Sequence, residues 1–86
     1  PDVLVYVVEY RPFFIRGEVT KPGSYPFVPG LTVQKAISIA GGFTDYASKN
    51  RIYIQRENVM QDNRQKAGLD TVIFPGDTVT IEEGFF

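Results

Sequence analysis

Three Pro-Gly pairs, Pro22-Gly23, Pro29-Gly30 and Pro75-Gly76, punctuate a chain of 86 residues. Proline presets φ near about −65° and glycine accepts the positive φ that the third position of a type II turn requires. No helix runs through such corners, so each pair reads as a break between elements. The glycine-rich stretch "GEVTKPGSYPFVPGLTV", Gly17 to Val33, has one chemical alternative, a phosphate-cradling loop. That loop needs Gly-Lys-Ser/Thr opening a helix. Here Lys21 precedes Pro22 and Gly23, so the spacing fails and the glycines serve backbone geometry.

Between the corners, periodicity predicts the elements. "VLVYVVEY", Val3 to Tyr10, is β-branched and aromatic and reads as a strand. A reversal is expected at Arg11-Pro12. "FFIRGEV" then alternates Phe13, Ile15, Gly17 and Val19 on one face against Phe14, Arg16 and Glu18 on the other. Pro22-Gly23 is expected at the centre of a turn, followed by "SYPFV" as a short edge strand between prolines. Thr32 is the expected N-cap of a helix over "VQKAISIA", with Val33, Ala36, Ile37 and Ala40 on its inner face. Gly41-Gly42 ends it. "RIYIQR", Arg51 to Arg56, alternates as a strand, as does "TVTIE" after Pro75-Gly76. The polar segment Glu57 to Asp70 has no clear period and reads as a hairpin or a long connection. One short helix among four or five strands indicates an α+β fold, a β-grasp whose helix packs across one face of a mixed sheet.

Composition narrows the chemistry. The chain has neither cysteine nor histidine, which removes disulfides, thiolate metal sites and the commonest general base near neutral pH. Nine basic against ten acidic residues give a net charge of −1, which disfavours a nucleic-acid partner. No apolar run reaches the roughly 18 residues of a membrane-spanning helix. The first residue is Pro1 rather than Met, so residues 1–86 are expected to be a single domain cut from a longer protein.

Taken together, G-E-V-x-x-P-G-x-Y (Gly17 to Tyr25), P-G-L-T-V (Pro29 to Val33), A-G-G-F-T (Ala40 to Thr44) and P-G-D-T-V (Pro75 to Val79) carry a resemblance. The chain from Phe13 to Phe86 resembles the soluble-ligand-binding β-grasp (SLBB) domain found in bacterial outer-membrane polysaccharide export proteins. Glu57 to Leu69 has no matching phrase. The resemblance implies a periplasmic, outer-membrane-associated setting, with sister SLBB domains and an export domain as neighbours. It also implies self-association of the full-length protein into an oligomeric channel for capsular or exopolysaccharide. No cofactor is expected; a nucleic-acid role, known in other branches of this domain family, is disfavoured by the net charge of −1, and any membrane contact would come through parts outside this segment. The alternative is a soluble glycan- or small-ligand-binding or sensing domain with no part in assembly. An enzyme would need an active site built from Asp, Glu and Tyr alone, and no converging pair is evident.

Candidate residues follow from the aromatic surplus. One helix covers only one face of a sheet, so three accounts of the other face stand. The polar segment Glu57 to Asp70 folds over it, an adjacent domain or subunit covers it, or its aromatics form a platform for sugar. Tyr6, Tyr10 and Phe14 are the candidate interface residues. Lys21, Tyr25 and Tyr46 are the candidate ligand contacts, because tyrosine joins an apolar face to a hydroxyl and these residues lie near loops. Against this, Tyr25 can simply plug the edge of the core. Arg16, Lys21, Lys35, Lys49 and Arg51 have two readings, contacts for an anionic glycan or phosphate and solvated surface charges. The second is favoured because they alternate with Glu18 and Asp45 and form no single-sign block. Asp77 reads as a turn residue binding nearby amides. Glu82 and Glu83 point to opposite faces of a strand and cannot flank one bond.

Overall fold

The computed structural model describes residues 9–57 and 64–84. The elements are β1 (Phe13–Gly17), β2 (Gly23–Tyr25), α1 (Val33–Ile39), β3 (Ala47–Gln55), β4 (Gln65–Ala67) and β5 (Thr78–Glu83). They form one five-stranded sheet in the order β2-β1-β5-β3-β4. β1 runs parallel to β5 at the centre, and every other neighbouring pair is antiparallel. Two hairpins flanking a parallel central pair, joined by a helix on one face, make the expected β-grasp. Of the strand expected over Val3 to Tyr10, residues 3–8 lie outside the described residues, and Glu9 and Tyr10 belong to no strand.

The core forms where alternation and register agree. Ile15, Val79 and Ile54 lie side by side across β1, β5 and β3, and Gly17, Ile81 and Ile52 form the next row. All of these except Gly17 are buried, as is Phe13. Val33, Ala36, Ile37 and Ala40 of the helix segment press on that face, and Leu31 and Ile73 close the space beside it. Gly17 is needed in its row. Its φ is +96°, and a Cβ there would lie 2.0 Å from the Ile81 carbonyl oxygen of the adjoining strand.

A helix of seven residues has little stability of its own. Thr32 caps its start by accepting from the Lys35 amide at 3.4 Å. At its end, the Gly42 amide donates to the Ile37 carbonyl at 2.8 Å and the Gly41 amide to that of Ser38 at 3.1 Å. This is a Schellman cap. Two backbone seams then tie α1 to the rest. In the first, the Thr20 and Lys21 amides donate to the Gly42 and Ala40 carbonyls, at 3.0 and 2.8 Å, and the Thr44 amide returns to Glu18 at 3.2 Å. The Thr44 hydroxyl also donates to the Glu18 carboxylate at 2.7 Å. In the second, the Val33 and Gln34 amides donate to the Thr71 and Leu69 carbonyls and the Ile73 amide to that of Leu31, all at 2.9–3.0 Å.

Several local expectations shift for physical reasons. Pro29-Gly30 and Pro75-Gly76 are turns, with φ of +84° and +83° at the glycines. Pro22-Gly23 is not the reversal. Gly23 already pairs with Ile15, and residues 18–22 carry the bend, held by the amides that the first seam takes up. The edge strand stops at Tyr25 because Pro26 has no N–H to donate. β3 starts at Ala47, before the expected Arg51, with a register shift between Ala47 and Ile52. The polar segment makes a hairpin: Gln65 to Ala67 pair with Ile54 to Ile52. Its described part widens the sheet instead of covering it.

Asp77 does bind a nearby amide, that of Phe74 at 2.7 Å. It also pairs with the Arg56 guanidinium, which lies 4.9 Å from the Phe74 ring centroid. Asp77 is only 1% exposed, and a buried carboxylate without such partners would be costly. Asp77→Ala leaves the Phe74 amide and a partly exposed Arg56 without their acceptor. Chemical denaturation should show a loss of about 2 kcal/mol, and a change under about 0.5 kcal/mol contradicts the role given to the pair. Gly17→Ala should cost at least about 2 kcal/mol in the same assay, since strand β1 must move away from β5. A neutral outcome there contradicts the close approach.

Candidate functional site

Lys21 and Tyr25 come together, but not as an open pair. The Tyr25 hydroxyl donates to the Lys21 carbonyl, and its ring stacks on buried Phe13 with centroids 5.9 Å apart. Half-buried at the end of the core, Tyr25 is placed as an edge plug whose polar handle is engaged. The Lys21 side chain is exposed. Tyr46 is 63% exposed on the turn before β3, and its carbonyl accepts from the Gly84 amide at 2.8 Å. Among the described residues no hydrogen bond or ring contact joins Tyr46 to Lys21 or Tyr25.

The candidate interface residues also separate. Tyr6 lies outside the described residues. Tyr10 meets Phe27 edge-on at 5.3 Å, and Phe27 leans on the core. Phe14 points the other way, onto the helix-free face, where it lines a hollow with Gln55 and Thr78. Both rings are nearly half exposed. Further exposed apolar side chains lie elsewhere: Val28 and Ile39 flank a groove beside α1, and Val72 and Phe74 lie near Arg56.

The helix-free face is largely polar. Register places Arg16, Thr80, Tyr53 and Lys66 in one row across β1, β5, β3 and β4. Arg64 lies over the Tyr53 ring, 4.2 Å from its centroid, and reaches Glu82 at 2.6 Å. A hollow of about 630 Å³ opens beside Tyr53 and Lys66, lined also by Ser48, Asn50 and Arg51. No phrase in the sequence announces this row, because its members come from four strands spread between Arg16 and Thr80 and only the pairing registers bring them together. Among the described residues no group of three acidic side chains could hold a metal ion, and no helix is long and apolar enough to cross a membrane.

The fold and its seams define a class. The family model described as the SLBB domain matches residues 12–68, and the chain belongs to that family. Over 42 residues the chain is 50% identical to the exopolysaccharide production protein ExoF of Rhizobium meliloti (strain 1021). The aligned stretch is 49% of this chain and 10% of that protein, so the chain spans a small part of the relative.

The matched span includes G-E-V and A-G-G-F-T, which face each other across the first seam. These phrases therefore have a structural explanation that requires no ligand. Tyr25→Phe separates the two readings of Tyr25. As a plug it should lose about 1 kcal/mol of stability on denaturation and leave any saccharide affinity unchanged. An unchanged stability accompanied by lost binding would make it a ligand contact.

Proposed function

We propose that the chain is a non-catalytic module of a polysaccharide export protein. In this reading it packs against neighbouring domains and copies within a periplasmic, outer-membrane-associated channel. The observation that carries the reading is the 50% identity over 42 residues with a protein named for exopolysaccharide production. The use made of four of the acidic residues supports the non-catalytic reading. Glu18 is held by Thr44, Asp77 by Arg56, Glu82 by Arg64 and Glu57 by Arg11, so each serves a structural contact.

Assembly is supported by the apolar side chains left in solvent: Phe14 on the open face, Val28 and Ile39 beside α1, and Phe74 at the Arg56 end. Val28 and Ile39 share one groove, and apolar surface gathered in this way marks contact with a partner. Phe14 and Tyr10 are the anchors of this reading. Lys21 and Tyr46, exposed in loops, are two positions open to a passing glycan.

The full-length protein carrying Tyr10→Ser and Phe14→Ser tests this reading in cells and by sedimentation. Both side chains sit outside the core, so the fold is retained, and self-association should weaken by about tenfold or more with secretion falling alongside. Unchanged assembly and secretion by a folded variant contradicts the interface role.

A further inference from the structure

Among the described residues, no element covers the helix-free face of the sheet, and its charge differs from that of the chain. The whole chain carries −1. This face presents Arg16, Arg51, Arg64 and Lys66, while its carboxylates are Glu82 and, at the Phe14 end where it pairs with Arg11, Glu57. Arg64 is paired with Glu82. Arg16 and Lys66 are exposed and make no ion pair among the described residues.

These two cations close the ends of a row whose middle is Thr80 and Tyr53. Neighbouring strands lie about 4.8 Å apart, so the row is about 14 Å across. Such a row offers positive charge at each end and hydroxyls between, with the Ser48 and Asn50 side of the 630 Å³ hollow adjoining it. Flat stacking of a sugar ring on Tyr53 is not on offer, because the Arg64 guanidinium already lies across that ring. The site therefore selects by charge and hydrogen bonding rather than by an aromatic face.

We propose that this face binds an acidic oligosaccharide. Its carboxylates meet Arg16 and Lys66, and its hydroxyls meet Thr80, Tyr53 and Asn50. A neutral glycan leaves both cations unanswered, and a small polyphosphate supplies charge but no sugar hydroxyls for the middle of the row. The inference rests on the export reading only for the source of the saccharide. Because the cations are exposed, binding weakens as salt rises above about 0.1 M, where the screening length is about 10 Å.

The test is titration of the 86-residue chain with tetragalacturonate, maltotetraose and inorganic tripolyphosphate at low salt, read by amide NMR shifts. Tetragalacturonate should give saturable shifts at Arg16, Tyr53, Lys66 and Thr80, and maltotetraose should give none. Arg16→Gln with Lys66→Gln should weaken binding by about tenfold or more at an unchanged thermal midpoint, with Lys66→Gln alone intermediate. Equal response to maltotetraose, undiminished binding by the double variant, or no saturable shift overturns the proposal. Tripolyphosphate bound as tightly at the same amides overturns its saccharide part. None of these outcomes bears on assembly and secretion, so the export reading stands or falls separately.

Discussion

The seven-residue helix would not persist alone, and what keeps it on the sheet is the pair of backbone seams at its ends. Each seam runs between a loop and a helix terminus. One sets Glu18 to Lys21 against Ala40 to Thr44, and the other sets Leu31 to Gln34 against Leu69 to Ile73. Backbone amides and carbonyls drawn into the fold must find partners, and here loop groups find them at the ends of the helix rather than in strands. The seams hold Val33, Ala36, Ile37 and Ala40 over Ile15, Ile52, Ile54, Val79 and Ile81. The central β1–β5 pairing then holds the sheet itself together, with Gly17 allowing the two backbones to close.

This division of labour explains which features could be read from the sequence. Strands with clear alternation, Phe13 to Gly17 and Thr78 to Glu83, were legible because one face is buried and the other is not. The helix was legible from its apolar spacing and its cap, Thr32. Two of the three Pro-Gly corners fold as their local chemistry dictates. Pro22-Gly23 does not, since the bonds that Thr20 and Lys21 make to the helix end move the reversal upstream. β4 was legible only as one of two readings of its polar segment, a hairpin or a long connection, because Gln65, Lys66 and Ala67 pair at an edge where side chains carry no pattern. The start of β3, Ala47 to Asn50, is polar and irregular for the same reason.

The site was less legible than the fold. Lys21 and Tyr25 do meet, but through a carbonyl and a hydroxyl that brace the edge. Tyr46 is as exposed as its loop position implied. Tyr10 and Phe14 lie on one apolar-looking stretch of sequence, yet their side chains face different parts of the molecule. The cationic row is a product of strand register: Arg16 and Lys66 become row-mates only when β1, β5, β3 and β4 pair as they do. Segregation of function follows, with loop phrases serving architecture and sheet surface left for contact.

The claim that the family phrases act as structural seams is tested most directly by amide hydrogen exchange under native conditions. The Thr20, Lys21, Gln34 and Ile73 amides all lie outside the strands, yet the account has them opening only with the sheet. They should exchange about as slowly as the amides of β1 and β5. Exchange at the rate of unstructured peptide at these four positions, while β1 and β5 remain protected, would contradict it.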